Sequence, residues 1–522
     1  MLLTLLGGCM VTTVGLSNVV WVLLLVNWVF EGRWAEKWRM ARGNRLLHAF
    51  AVLFFLHVVG LLWTSDIAKG CSDIVEMLPL LAVSLVVLTT PAPEGNTRSL
   101  ILNLYGGTVF VVTIIGFVRW LTIPDLPHRE IVTYIHHTRF ALNICMVIYL
   151  LGYQSLRTRN LKFKVLHWIL ILWFLFFLLL LQSYTAVVIL AVASLVAILH
   201  RRRWLWTACW VVSAGLVGLM IFLGYRSYYR LGPLSSETLQ EKTVNGHPYE
   251  HRQDGFIENG NYVNNYICRA ELINEWPKRS TMPLDSLTAS GYSVESALIR
   301  YLNALGLTKD SAGVAALTDS QVDEIARGVA NPVYEHGSPF RKMLHKALFE
   351  YENYRCYRAV TGFSMLQRLE LWRCTWNVIA KHPLIGTGTG DLHKALHDEF
   401  VASDSPMQEN PLYPHNEYLT LIALFGFLGF ALIVFFFLRA WHHTRNQAIM
   451  QSDKHLSSHS LALLCTPSYS LIKTLWLVTI LVSFLTENTL DSLPGILFCS
   501  WFLAFFQPSV RTFSDMDKRD TI

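Results

Sequence analysis

Long apolar runs alternate with short basic loops along most of this chain, and that alternation constrains its fold more than any other feature. The runs lie at residues 1–15, 17–31, 46–63, 75–91, 99–121, 139–153, 163–181, 184–200, 204–224, 417–440, 471–486 and 491–507. A helix needs about 20 apolar residues to cross a bilayer core, so the shorter runs must recruit flanking residues. In lipid every backbone amide and carbonyl must find a partner, which limits spanning elements to helices or a closed barrel. No strand-like alternation accompanies the runs. The expectation is an all-α polytopic membrane protein with about twelve transmembrane helices. Only 15% of the 522 residues are charged, against about 25% in soluble domains. The first 31 residues read either as two short helices or as one long tilted helix.

Orientation follows from the basic loops, because Lys and Arg gather on the cytoplasmic side. The segments at 31–45, 155–164, 200–204 and 439–447 are basic, as are Arg511, Lys518 and Arg519 in the tail. All fall on one side of a twelve-span chain whose N-terminus is inside. The net charge of +6 therefore belongs to membrane-flanking loops and calls for no nucleic acid. The expected organisation is a bundle of about nine spans over 1–224, a large helical loop on the outer side over 225–416, three spans over 417–507, and a cytoplasmic tail at 508–522. The large loop has helix periodicity near 266–276, 293–305, 318–329, 339–359 and 366–381, with Asp319 and Ser338 as N-caps of two of these segments. No removed signal peptide is expected, since the first residues lack a basic stretch and a small-residue cleavage site. The nine cysteines show no zinc spacing and no CxxC. Cys268, Cys356 and Cys374 lie in the polar region, where one disulfide is conceivable.

Residues 368–430 concentrate the groups that carry chemistry. They read RLELWRCTWNVIAKHPLIGTGTGDLHKAL, a polar connector, and PHNEYLTLIALFGFLGF. The glycine-rich turn Gly386–Asp391 follows no strand and lacks the Lys-Ser/Thr of a phosphate loop. A tight chain reversal is its simplest reading, and a nest of backbone amides for an anion is the other. His415 stands where a polar loop meets an apolar run. Asn416 can cap the helix that follows, and the helix dipole then disfavours imidazolium at His415. A neutral imidazole can take a proton from a hydroxyl, and Glu417 or Glu487 is available to orient it.

The same outer face gathers His136, His137, Arg139, Arg226, Arg230, Arg368, Arg373, Lys381, Glu487 and Asp491. Cations around one histidine at headgroup level suit a lipid-linked anion, because arginine grips phosphate through a planar fork of donors. Plainer readings compete. Arginines beside spans snorkel to headgroups, which covers Arg226 and Arg230, and Arg368 fits a solvated helix face. Arg139 sits at the edge of an apolar span, where a charge is costly and takes a partner. No DxD-like acidic pair on the outer face calls for a metal, and no cofactor is expected.

These motifs, with LTENTL at 485–490 and Arg139 within HHTRF, resemble the O-antigen ligase and O-antigen polymerase superfamily. Its members are multi-spanning bacterial glycosyltransferases with one large periplasmic loop. The segment at 297–318 is similar to the Bacteroidetes-type form of that loop. The resemblance implies transfer of a glycan from undecaprenyl diphosphate to the lipid A core without a metal. It implies that His415 activates the acceptor hydroxyl and that Arg368 and Arg139 hold the donor diphosphate. One departure stands out. Many members carry a Ser-Arg pair at the outer end of a middle span, where this chain has Gln182-Ser183-Tyr184-Thr185. Arg226 or Arg230 takes over that role, or the donor is held differently.

The expected activity is therefore inverting glycosyl transfer on the periplasmic face of the inner membrane. His415 and Arg368 are the expected catalytic residues, and Arg139, Arg226, Arg230, Arg373 and Glu487 the expected substrate-binding residues. The expected partners are the lipid-linked glycan, the lipid A core and membrane lipids. A polymerase or a protein O-oligosaccharyltransferase would use the same donor, and the motifs do not encode the acceptor. A transporter of lipid-linked sugars would place polar residues and broken helices near the midplane, whereas these charges gather at outer helix ends.

Overall fold

The computed structural model describes residues 1–93, 95–123, 126–200, 204–235, 239–252, 254–288, 293–360, 364–408, 412–455 and 469–506. The tail cations Arg511, Lys518 and Arg519 lie outside the described residues. Two compact units emerge: Met1–Thr207 with Leu371–Ile522, and Ala208–Glu370.

In the first unit, α1 (Leu2–Cys9), α2 (Val14–Phe30), α4 (Arg45–Gly60), α5 (Ile67–Leu88), α6 (Gly95–Thr122), α7 (His137–Arg157), α8 (Leu161–Leu180) and α9 (Tyr184–His200) follow the apolar runs, and α3 (Trp34–Gly43) falls in the first basic segment. The chain passes into the second unit within α10 (Trp204–Tyr229). That unit holds α11 (Arg269–Glu275), α12 (Val294–Leu305), α13 (Ser311–Ala315), α14 (Asp319–Ala326), α15 (Val333–His336) and α16 (Pro339–Tyr357). The chain returns within α17 (Ser364–Lys381) and continues through α18 (Leu392–Ala402), α19 (Glu417–His455), α20 (Tyr469–Thr486) and α21 (Leu493–Trp501).

Among the described residues, seven helices are long and apolar enough to cross a membrane, or eight if the bent pair α2–α3 is one span. Three shorter apolar helices, Thr185–Leu199, Leu471–Thr486 and Leu493–Phe505, fall below that length. The protein is an all-α polytopic membrane protein. The first 31 residues form two helices, α1 and α2, rather than one, and α1 is only about 12 Å long at 1.5 Å per residue. The first basic loop is itself helical: α3 leaves α2 at 116°, with Arg33 in the left-handed region at the corner (φ 54°).

The most informative packing joins α19 to the loop after α17. Gly426 breaks α19 with φ 65° and ψ −177°. At a break of this kind the amides of Phe427 and Leu428 lose the carbonyls of Ala423 and Leu424, their normal helical acceptors. The loop supplies all four missing partners. Thr387 N–H donates to Ala423 O at 2.9 Å and Gly388 N–H to Leu424 O at 3.0 Å. In return Phe427 N–H donates to Pro383 O at 2.8 Å and Leu428 N–H to Leu384 O at 3.2 Å. This happens about 9–16 Å along the helix axis from Glu417, a depth at which irregular backbone survives only if its polar groups are bonded. The approach is close enough to demand glycine. A Cβ on Gly426 would stand 2.1 Å from Leu384 O, and one on Gly386 (φ 71°) 2.3 Å from Leu424 O. The loop also seats against α4, where Thr389 Oγ1 donates to His57 O at 2.6 Å. Contacts between α4 and α19 continue below it, with the Phe50 and Phe437 rings 5.3 Å apart.

The second unit folds around Leu272, Trp276, Leu298, Tyr301, Val322 and Ile325. The five helical segments expected there are present as α11, α12, α14, α16 and the start of α17. Ser338 caps α16 as expected. The cap of α14 is Thr318, through a reciprocal box with Gln321, rather than Asp319. A two-stranded hairpin, Ile257–Glu258 with Asn261–Tyr262, was not legible as alternation because each strand is two residues long. Its buried Glu258 accepts two 2.8 Å bonds from Arg300, which ties the hairpin to α12. Among the described residues Cys268, Cys356 and Cys374 form no disulfide.

Candidate functional site

His415 is held by the residues around it. Asn416 Oδ1 caps α19 by accepting from Leu419 N–H at 3.1 Å, while its Nδ2 donates to Leu485 O at 3.3 Å. Pro414 O accepts from Trp372 Nε1–H at 2.7 Å. Clamped on both sides, His415 adopts φ 49°, a left-handed conformation that costs a non-glycine residue about 1 kcal/mol or more. Its side chain stays 39% exposed, with Nδ1 3.9 Å from Glu487 Oε2. Of the two carboxylates available to orient it, Glu487 is the one within reach. Glu417 is buried and accepts from Leu490 N–H at 3.0 Å.

Glu487 belongs to a polar knot between α20 and α21. Asn488 Nδ2 donates to Thr420 Oγ1 at 3.1 Å and to Asp491 Oδ2 at 2.7 Å. Arg139, from the first turn of α7, inserts into this knot. Its Nε donates to Ser492 Oγ at 3.1 Å, its Nη1 to Glu487 Oε2 and Thr138 Oγ1 at 3.4 Å, and its Nη2 to Asn488 O. A guanidinium has five N–H groups, so Arg139 is largely committed to protein acceptors, and only 8% of its surface is exposed. The partner expected for a charge at the edge of a span is therefore present. Asn143 steadies the same turn by donating to Arg139 O at 2.8 Å.

Asp491 still touches solvent. Surrounding protein nonetheless strips hydration from its carboxylate and raises its pKa. The Asn488 hydrogen bond and Arg139 oppose that rise, Asp73 and Glu76 add to it, and the value settles at about 6.

His136 belongs to this constellation, although sequence reasoning gave it no role. Its Nδ1 lies 2.8 Å from Thr138 Oγ1, and its ring packs 4.3 Å from that of His137. Burial lowers its pKa below the usual histidine value. The charge of Glu487 opposes this, and Arg139 and His415 reinforce it. The only sequence signal was the doublet His136-His137 before Arg139.

The other expected residues are distributed differently. Arg373 lies against Ser403 Oγ (3.5 Å) and Cys374 Sγ (3.6 Å) at the end of α18. Arg226 and Arg230 are exposed and Arg368 half-buried, all three in the second unit. At the place of the missing Ser-Arg pair, Ser183 is buried and Thr185 Oγ1 lies 3.2 Å from Thr486 Oγ1, one residue before Glu487. The glycine turn spends Thr387 N–H and Gly388 N–H on α19, so these two are not available as an anion nest.

In the second unit His247, Cys268 and Glu271 are close enough to hold a metal ion. The Glu271 oxygens, however, already accept from Thr243 Oγ1 (2.6 Å), Ser311 N–H (3.0 Å) and Ser311 Oγ (2.6 Å). Burial pushes the Glu271 pKa up, but these bonds outweigh it and hold the value at about 2. That is the chemistry of a hydrogen-bond clamp.

Fold and site together define a class: an all-α membrane protein with an exposed histidine at the mouth of a span, leaning on a buried carboxylate–arginine pair. Residues 311–434 match the family model for O-antigen ligase. That stretch contains Arg368, the glycine turn and His415, and it is the part of the chain that is similar to the O-antigen ligase family. Arg139 and Glu487 lie outside it. A search of curated proteins finds no match.

Proposed function

We propose that this protein is an inverting, metal-independent glycosyltransferase that moves a glycan from undecaprenyl diphosphate to a hydroxyl of the lipid A core. Its site would face the periplasm from the inner membrane. The family match supports ligase- or polymerase-type glycosyl transfer in general, and the donor, acceptor and residue roles are the proposal's own. The observation that carries it is His415, strained at φ 49°, 39% exposed, with Nδ1 3.9 Å from Glu487. His415 accepts the proton as the acceptor hydroxyl attacks the anomeric carbon. Glu487 orients the ring and offsets the imidazolium that forms. Arg368 supplies charge to the departing diphosphate, with Arg226 or Arg230 standing in for the absent Ser-Arg arginine. Arg139 acts by fixing Glu487 rather than by gripping the donor.

The test is transfer by the purified full-length protein from an undecaprenyl-diphosphate glycan to lipid A core. His415→Asn keeps a residue that tolerates the left-handed conformation but removes the base. Transfer should fall about 100-fold or more while the folded fraction is unchanged, and retained transfer would refute the assignment. The acceptor is decided by the glycans of a deletion strain. Uncapped lipid A core with accumulated lipid-linked polymer marks a ligase, single-repeat caps a polymerase, and loss of protein glycosylation an O-oligosaccharyltransferase. A transporter also breaks helices, but at the break in α19 the freed Phe427 and Leu428 amides and the Ala423 and Leu424 carbonyls are bonded to the loop.

A further inference from the structure

Resting on that reading, we propose that His136 is the donor-phosphate ligand at the mouth of α7: its Nε2–H donates a hydrogen bond to a diphosphate oxygen of the lipid carrier. The argument begins with what Arg139 cannot do. Four of its five N–H groups already meet Ser492, Glu487, Thr138 and Asn488, and the side chain is buried. It contributes positive potential but has almost no donor left to give.

The tautomer of His136 follows from Thr138. That hydroxyl is buried, with 6% of the residue exposed. Its oxygen accepts from Arg139 Nη1, so its own hydrogen needs an acceptor. Arginine offers none, and the acceptor at hand is His136 Nδ1, 2.8 Å away. With Nδ1 accepting, a neutral imidazole carries its proton on Nε2. His136 as a residue is exposed although part of its ring is desolvated, which leaves Nε2–H for a ligand.

Its surroundings favour an anion. His136 is the N-cap residue of α7, a 21-residue helix whose N-terminus no side chain caps. First-turn amides and the positive end of the helix dipole therefore lie beside the same spot. His136, Thr138, Arg139, Glu487 and His415 form one run of contacts at 2.8, 3.4, 3.4 and 3.9 Å. The open donor and the proposed base thus sit at the two ends of one constellation. Burial and the positive charge of Arg139 favour the neutral ring against the pull of Glu487. A hydrogen bond rather than a full charge is then what His136 offers.

The two amide residues separate the ring nitrogens. Glutamine places its N–H₂ near the position of Nε2, whereas asparagine reaches only as far as Nδ1. Binding of farnesyl diphosphate, a short carrier analogue, is measured on detergent-purified full-length protein, alongside the donor KM. His136→Ala should weaken binding about ten-fold, the weight of one hydrogen bond to a charged group. Donor KM should rise while acceptor KM stays put. His136→Gln should recover most of the loss and His136→Asn should not. Rescue by Asn alone, or equal binding by wild type and His136→Ala, would overturn the proposal and leave the transferase reading intact. A wild type that binds no diphosphate would bring down both.

Discussion

The glycine loop at the α19 break and the polar knot around Arg139 both join segments far apart in sequence, but one joins them through backbone and the other through side chains. At the break, two loop amides and two loop carbonyls replace the helical partners of residues 423–428. The surfaces approach so closely that a Cβ on Gly426 or Gly386 would collide with a carbonyl oxygen. Such a joint is rigid and closed. The knot instead gathers Arg139, Glu487, Asn488, Asp491 and Ser492, and leaves His415 39% exposed beside it. The most conspicuous sequence motif is thus scaffolding, and the proposed base stands beside a less conspicuous one.

The largest effect should come from the backbone joint. Gly426→Val drives a branched side chain into Leu384 O at a positive φ and pulls apart the exchanged hydrogen bonds. The expected cost is at least about 5 kcal/mol, read as loss of the monodisperse peak in detergent size-exclusion chromatography. Near-wild-type yield would mean that the loop does not need to sit at the break, and the contrast between the two joints would collapse.

The knot should respond in a different way. Glu487→Ala leaves Arg139 buried without its counter-charge and should cost about 3–5 kcal/mol, seen as a lowered Tm in detergent. Replacing both partners, Arg139→Met with Glu487→Leu, should restore much of that stability, since a buried pair is often neutral against apolar residues. Transfer should stay lost, because His415 keeps no carboxylate. A double variant that remains as unstable as Glu487→Ala would assign the knot a structural role only. Recovery of activity would remove Glu487 from the mechanism.

How much of this was legible follows from whether a signal is local. Apolar runs gave the helices, because burial and backbone bonding within one segment set a span. The Ser338 cap and the Asn416 cap were readable because a cap is a short-range hydrogen bond. The short α1 was harder, since Gly7 and Gly8 in an apolar run do not show where a helix stops. The exchange between 383–388 and 423–428 was invisible: GTGTG and FGFLGF each look like a turn or a packing site until their carbonyls are matched across space. The choice of Glu487 over Glu417 was hidden for the same reason. The two lie 70 residues apart, and only the fold turns Glu417 to the Leu490 amide. For Arg139 the sequence showed that a partner was needed. It did not show that the partners would take up most of its donors.

The smallest effect tests the electrostatics of the knot. The Asp491 pKa is raised to about 6, by lost hydration first and by Asp73 and Glu76 after it. A carboxyl whose folded pKa lies above its free value binds more protons folded than unfolded between about pH 4 and pH 6. Its contribution is therefore favourable at low pH and declines as pH rises through that window. Asp491→Asn keeps an acceptor for Asn488 and removes the titration. The variant should lose that decline, gaining under about 1 kcal/mol at pH 7 relative to wild type, since the carboxylate still touches water and is screened. Thermal unfolding in detergent at pH 4.5 and pH 7 reads the difference. A Gly426 variant folded enough to measure keeps Asp491 and should keep the wild-type decline, with a stability deficit that does not change with pH, because a joint made of backbone hydrogen bonds has nothing to titrate. A pH slope unchanged by Asp491→Asn would mean that the knot's acids are solvated like surface groups, and its contrast with the backbone joint would then rest on geometry alone.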